Sequence, residues 1–430
     1  MMNICAISFH CCPFSLLGED GTGGMNVYLR ELCSVTEHFP DTKIDVFTRI
    51  QNPRISGIKN FSPQARVIHL NGGPERPMDR TQLHDSLPEF TDNLESFIIR
   101  NKEKYDLIYS HYWLSGLVGE KIKRRFGIPL VHIYHTLAFM KKRVLESGNR
   151  EDPLRRRMEQ HLARLSDAII CSSGHEMQCL IDEYGIPRSK IKVIYPGVNQ
   201  TLFTPVDGER TPQDMERRKG ERILLYVGRI DPVKGLMSVI DALSLLKSGD
   251  TSLYGLLKLV IIGGGRKDKQ LLQNKEYNRL QGAIKKKNLE GKIIFLGSKK
   301  QSQLRRYYSA SDALVVPSLY ESFGLVAVEA LASGIPVIVS KIGELGSLVR
   351  EGKNGFAFHP NDPASLADCI RHFFSREKNM WEKQRIRSDV LKRFSWEKTA
   401  SETYALLKKI AEERAPLTTI FQPGGTLRPA

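Results

Sequence analysis

Nowhere in this 430-residue chain do about 18 apolar residues run together, so a helix crossing a bilayer is not expected. The first eight residues read as the start of a strand and carry neither a basic leader nor a cleavage signal, which points to a cytoplasmic protein. Seven cysteines, Cys5, Cys11, Cys12, Cys33, Cys171, Cys179 and Cys369, are scattered without metal spacing, and Cys11 and Cys12 are adjacent rather than two residues apart; reduced thiols and no metal site are expected. Aromatic residues make up 8% of the chain and few of them interleave its basic runs, which argues against a nucleic-acid partner. The glycine-rich stretch Gly18-Glu-Asp-Gly-Thr-Gly-Gly24 lacks the spacing of a dinucleotide fingerprint, so this loop supports no NAD site. No internal repeat is evident.

What is abundant is positive charge. A formal net charge of +16 gathers in clusters at 121–125, 141–143, 155–157, 285–287 and 299–300. Such runs suit anionic partners, and phosphorylated small molecules are the simplest of these. The basic helices of the first half leave peripheral contact with an anionic membrane as a further partner, and plain solvated surface explains much of the same charge. The composition leaves a homodimer open.

At this length, with 41% hydrophobic content, two cores are expected. Apolar runs ending in Gly or Pro alternate with helical stretches in both halves, the α/β pattern of parallel strands and crossover helices. Strands are predicted at 4–8, 44–48, 65–69, 107–110, 130–134, 168–172 and 192–194, and again at 222–227, 257–262, 292–296, 313–316 and 336–339. The division that follows is a first Rossmann-like domain over 1–203, a polar linker over 204–221, a second Rossmann-like domain over 222–385, a helical region over 386–413 returning to the first domain, and a flexible tail over 414–430. Two doubly wound halves facing each other open a cleft at the carboxyl ends of their strands.

The candidate chemistry lies at those strand ends. Glu321-Ser-Phe-Gly-Leu-Val-Ala-Val-Glu329 has two carboxylates eight positions apart at the opening of a helix, which Ser333-Gly334-Ile335-Pro336 stops. Backbone N–H groups around Gly324, Leu325 and Val326 would lack helical partners and suit a diphosphate. A helix cap followed by a solvated glutamate explains the same residues. Gly228-Arg229-Ile-Asp-Pro-Val-Lys234-Gly235 follows a strand and precedes a helix, offering a planar guanidinium fork and a mobile ammonium. Gly23-Gly24 and Gly263-Gly264-Gly265 permit close backbone approach, although tight turns account for them almost as well. His111-Tyr112-Trp113-Leu-Ser-Gly116 and Tyr134-His135-Thr136 follow strand ends in the first half, where either histidine is a ligand contact or a satisfied structural group.

Together, Gly23-Gly24-Met25-Asn26, His111 to Gly116, His135-Thr136, Gly228-Arg229 with Lys234, and Glu321 to Glu329 resemble the retaining glycosyltransferases of family 4, which have the GT-B fold, over residues 1–413. The likeness is strongest to the inositol-phosphate N-acetylglucosaminyltransferases of mycothiol synthesis and somewhat weaker to sucrose-phosphate synthases. By that resemblance Arg229 and Lys234 would grip the donor diphosphate, Glu321 the donor sugar and Glu329 the nucleotide ribose. Gly23, Gly24, Gly263, Ser322, Phe323, Gly324, Leu325 and Val326 would line the donor, Ile294 its base, and His135 would touch the donor sugar near the reacting centre. Asn26, Arg80, Tyr112, Thr136, Arg155 and Arg156 would meet a phosphorylated acceptor. The family often has lysine where Arg80 stands, and the Lys- and Asn-rich segment after Gly265 also departs from it. The implied reaction moves glucose or N-acetylglucosamine, with retention, from a nucleoside-diphosphate sugar, UDP-linked by default, to inositol phosphate or a hexose phosphate, with no cofactor required. A lipid or polymer acceptor at a membrane, or a non-catalytic nucleotide-sugar-binding protein, are the competing readings.

Overall fold

Strands covered by helices on both faces have no exposed side, so they read as continuous Val, Ile and Leu runs rather than alternating ones. A computed structural model, describing residues 1–15, 23–78, 82–142, 153–205, 211–265, 268–376 and 381–414, contains two sheets of this kind. The first comprises β1 (Met2–Ile7), β2 (Thr42–Arg49), β3 (Gly57–Ser62), β4 (Ala65–Leu70), β5 (Leu107–His111), β6 (Leu130–Ile133), β7 (Ala168–Cys171) and β8 (Ile191–Val193) in the order β3-β4-β2-β1-β5-β6-β7-β8. Every pairing in it is parallel except β3 with β4. The second comprises β9 (Arg222–Val227), β10 (Leu257–Ile262), β11 (Ile293–Phe295), β12 (Ala313–Val316), β13 (Val337–Ser340) and β14 (Gly355–Phe358) in the order β11-β10-β9-β12-β13-β14, parallel throughout. These are the two facing Rossmann-like halves that the periodicity predicts. Strand order reverses between β1 and β5 and between β9 and β12, and such switch points open a crevice beyond the strand ends.

Two strands have no counterpart in the sequence prediction. β3 is an edge strand with no buried residue, so it lacks an apolar run; β14, Gly355-Phe-Ala-Phe358, contains no Val, Ile or Leu. The segment read as a polar linker is docked instead over its second half. Met215 is fully buried in the second core, Arg217 bonds the Ala310 carbonyl at 2.6 Å and Asp312 at 3.0 Å, and Lys258 reaches the Glu216 carbonyl at 2.7 Å. Polar composition hid this because the anchoring is done by one methionine and three charged side chains.

The returning region divides between the two halves. The helix Lys383–Leu391 contributes Ile386 and Val390 to the second core, whereas Trp396, Ala400, Tyr404 and Leu407 of the helix Trp396–Arg414 pack into the first. Tyr404 hydroxyl lies 2.6 Å from Thr36 Oγ1, and the Trp396 ring meets Tyr28 edge to face at 5.6 Å. The outgoing chain at 195–198 and the returning chain at 395–399 lie side by side: Val198 bridges Ser395, and Thr399 Oγ1 donates to the Tyr195 carbonyl at 2.8 Å. A Cβ on Gly197 would stand 2.3 Å from the Trp396 nitrogen, so only glycine admits this contact. Residues 415–430, including most of the expected tail, lie outside the described residues, as does the front of the first glycine-rich loop.

Candidate functional site at the switch points of the two sheets

The loops that follow β9 and β12 are tied together before any side chain is considered. Leu319 N–H donates to the Val233 carbonyl at 2.8 Å, and Gly235, at φ +67°, lies so close to Pro317 that a Cβ would sit 2.0 Å from its carbonyl oxygen. This backbone contact sets Lys234 beside Glu321, whose Oε2 accepts from Lys234 Nζ at 2.5 Å. Both side chains are less than one-fifth exposed, so the pair is shielded more than a surface ion pair would be. Arg229 is more open and lies 3.4 Å from Asp231, while its carbonyl accepts from Tyr226 hydroxyl at 2.7 Å. Gly263 has φ +147°, and a Cβ there would meet the Gly228 carbonyl at 1.7 Å, so the loop ends of β9 and β10 touch through backbone alone. Ile294 is part-buried in β11, at the edge of this sheet.

The helix Leu325–Ala332 starts from Gly324, which at φ +99° is in the left-handed region and acts as its N-cap. Leu325 and Val326 are its first residues, whose N–H groups no helical carbonyl can reach. Phe323 is buried against Phe394 and Tyr195, which anchors the loop and leaves its backbone to line the cleft. Glu329 lies one turn further on and is buried. Gln301 Nε2 and Tyr308 hydroxyl each donate to it at 3.0 Å, and Arg30 from the first half bonds Gln301 in turn. Burial pushes the Glu329 carboxyl up to about 7, against the downward pull of those two hydrogen bonds.

On the opposite wall, Gly23 N–H donates to Asn26 Oδ1 at 2.9 Å, and Asn26 Nδ2 holds the Cys12 carbonyl at 3.0 Å. Asn26 is thus a buried brace for the glycine turn. A Cβ on Gly24 would come within 3.3 Å of Leu325, so the glycine turn of the first sheet abuts the helix start of the second. Three of the expected acceptor residues converge. Arg155, although a cation, is buried; its Nη2 reaches the Thr136 carbonyl at 2.8 Å and Thr136 Oγ1 at 3.1 Å, and its guanidinium lies 5.0 Å from the centre of the Tyr112 ring. Glu159, fully buried, fixes Arg155 Nε at 2.8 Å. Arg156, the next residue on the same helix, is exposed and turned away from this cluster, and Arg80 lies outside the described residues.

His135 joins the two walls. Ser322 Oγ donates to its carbonyl at 2.7 Å, and Tyr320 hydroxyl sits 3.0 Å from Ser322 Oγ. His135 and Tyr112 adopt φ of +61° and +74°, a strained region for residues with side chains, and such strain collects where function requires one fixed geometry. The His135 ring stacks on His111 with Nε2 3.0 Å from His111 Nδ1. Burial lowers both rings, His135 to about 3, so they are neutral at physiological pH. Beside Glu321 and Tyr320 a cavity of about 360 Å³ opens between the halves, with His175, Gln178 and Asp182 on its far side. Sequence reading missed Glu159, Gln301, Tyr308 and Tyr320; Tyr320 adjoins the Glu321 motif and Glu159 stands one helical turn after Arg155, whereas only the folded arrangement brings in Gln301 and Tyr308.

Among the described residues no helix is long and apolar enough to cross a membrane. The family described as glycosyl transferases group 1 matches residues 207–388, and that described as glycosyltransferase family 4 matches residues 22–202. The D-inositol 3-phosphate glycosyltransferase of Geodermatophilus obscurus is 32% identical over 99% of this chain and 94% of that protein. That of Corynebacterium glutamicum is 33% identical over 94% of this chain and 96% of its own. Among solved structures, sucrose-phosphate synthase from Thermosynechococcus elongatus superposes with a TM-score of 0.85 at 29% identity, covering 96% of this chain and all of that one. The Anabaena protein HepE, solved with UDP and glucose, shares the fold at 20% identity and a TM-score of 0.70 over 95% of this chain and 100% of its own. With full-length relatives at this identity and both of its halves matched, the chain belongs to the family 4 glycosyltransferases and has their GT-B fold.

Proposed function

We propose that this enzyme transfers a hexosyl group, glucose or N-acetylglucosamine, with retention from a UDP-sugar to a small phosphorylated acceptor such as inositol phosphate or a hexose phosphate. One observation carries the reading: the 2.7 Å bond from Ser322 Oγ to the His135 carbonyl joins the Lys234–Glu321 loop to the wall that holds Tyr112, Thr136 and Arg155. A donor gripped by the first would present its sugar to an acceptor phosphate held by the second. The relatives named above as acting on inositol 3-phosphate, and the sucrose-phosphate synthase, support a phosphorylated acceptor.

Glu321 is held by Lys234, which fits a carboxylate that accepts from sugar hydroxyls rather than one free to attack the anomeric carbon. The substitution therefore proceeds on the front face. The bond from the anomeric carbon to the diphosphate oxygen breaks, the acceptor oxygen bonds to that carbon from the same side, and the departing diphosphate takes the acceptor's proton. Arg229, Lys234 and the start of the helix Leu325–Ala332 stabilise the charge that develops on the diphosphate, with no metal needed for that task. Closure of the two halves would exclude water that otherwise hydrolyses the donor.

Release of free nucleoside diphosphate tests the proposal, crossing UDP-glucose, UDP-N-acetylglucosamine, ADP-glucose and GDP-mannose with inositol phosphate, fructose 6-phosphate and no acceptor, each with and without EDTA. Release that one phosphorylated acceptor stimulates, insensitive to EDTA and giving a product with the donor's anomeric configuration, is expected. An inverted product would sink the front-face route, and stimulation by none of the acceptors would redirect the assignment to a lipid or polymer acceptor.

A further inference from the structure

The two stacked histidines at the ends of β5 and β6 share one hydrogen bond, and the fold constrains which of them supplies its proton. His111 is completely buried. Its Nδ1 lies 3.0 Å from His135 Nε2, while its own Nε2 is buried and has no hydrogen-bond partner among the described residues. The rings of Tyr109 and Tyr28 pack around it, at 4.2 Å and 6.0 Å between centres. His135 is part-exposed and has no partner for Nδ1 among the described residues.

A neutral imidazole carries one proton on one of two nitrogens. If His135 donated from Nε2, His111 would have to carry its proton on Nε2, where it would be a buried N–H with no acceptor, the rarer and more costly kind of orphan. If His111 donates from Nδ1, its buried Nε2 is a bare lone pair, and His135 must carry its proton on Nδ1. We propose that His111 is a positioning residue that fixes His135 as the Nδ1–H tautomer, so that His135 offers the cleft a hydrogen-bond donor rather than an acceptor. The role of that donor rests on the transferase reading above: an Nδ1–H can donate to a hydroxyl oxygen of the donor sugar, and the sugar O–H then remains free to donate to Glu321. The tautomer itself depends only on the two rings and their burial.

Nitrogen-15 spectra of the ligand-free protein, labelled at histidine and assigned with His111→Asn and His135→Asn, test this directly, because protonated and bare ring nitrogens resonate far apart. The expected pattern is protonated Nδ1 and bare Nε2 on both His111 and His135. A protonated Nε2 on His135 overturns the proposal whatever the enzyme's substrates prove to be. In His111→Phe, which keeps an aromatic ring and removes the donor, His135 should populate both tautomers and turnover should fall about tenfold, by analogy with the lower end of the effect of losing the partner of a metal-bound histidine. His111→Asn, whose side-chain amide can occupy the Nδ1 position, should recover most of that loss and return His135 to one tautomer. Unchanged His135 tautomers in His111→Phe would reduce His111 to a packing residue.

Discussion

Replacing Glu329 by glutamine should stabilise the protein at neutral pH while weakening its hold on nucleotide. The carboxyl is buried and titrates near 7 in the fold, against 4.5 for an ordinary glutamate. Because the folded value is the raised one, the folded state keeps a proton that the unfolded state has released between these two values. Stability therefore falls as pH rises through that window and is constant again above it. At roughly 1.4 kcal/mol per pH unit, the interval amounts to about 3 kcal/mol of destabilisation at pH 8 that is absent at pH 4. Glutamine has nearly the same shape and does not titrate. Its oxygen can accept from Gln301, and Tyr308 hydroxyl can rotate to accept from its amide. Relative to the parent, Glu329→Gln should gain about 3 kcal/mol between pH 4 and pH 8, or roughly 6–12 °C in melting temperature for a domain of about 200 residues. Paired melting curves at pH 5, 6, 7 and 8 provide the assay, since other titrating groups, including the buried histidines, are common to both proteins and cancel. A difference in melting temperature that does not change with pH would refute the argument. In the same variant, UDP affinity measured by calorimetry should drop about tenfold, the loss of one charge-assisted hydrogen bond to ribose.

Lys234→Ala should cut turnover on the order of 10²-fold, comparable with loss of one oxyanion donor, because it removes diphosphate stabilisation and leaves Glu321 without its 2.5 Å partner; steady-state turnover within threefold of the parent would exclude Lys234 from the chemistry. Gly263→Ala combines a φ of +147° with a Cβ 1.7 Å from the Gly228 carbonyl, so the β9 and β10 loop ends must separate. A stability loss of about 1–3 kcal/mol in denaturant melts and a matching loss of diphosphate affinity are expected, and normal values for both would show that the loops do not need this contact.

The residues that sit immediately after strands were readable in advance, because burial on both faces marks the strand and the next polar or glycine residue must fall at its carboxyl end. Arg229, His111 and His135 are placed in this way, Lys234 lies further along the loop that begins with Arg229, and Glu321 is marked by the helix that opens after it. The eight-residue spacing of Glu321 and Glu329 also suggested that one ligand touches both. What periodicity does not carry is the set of partners that hold each group within the fold. Glu329 is occupied by Gln301 and Tyr308, which lie seven residues apart on the separate helix Gln301–Ser309, and no local pattern links that helix to the motif. Asn26 likewise stands in a motif string, yet its amide is spent on bracing the turn between Gly23 and Cys12. Arg155 and Arg156 look equivalent as adjacent basic residues. A helix sends neighbours about 100° apart, so one is buried under Tyr112 and the other meets solvent.

The contact at Gly197 constrains how the halves can move. A body joined to another by a single tether can tilt, swing and twist about the joint. Here two segments cross between the halves, and they touch, linked by the bridge between Val198 and Ser395 and the bond from Thr399 to Tyr195. Paired crossings of this kind work like the pin of a door: swinging about the line through them is easy, while twist would shear their shared hydrogen bonds. Any opening and shutting of the halves would thereby be confined to nearly one dimension and would return the two walls of the cleft to the same register, and the glycine at 197 is what allows the pin to be assembled.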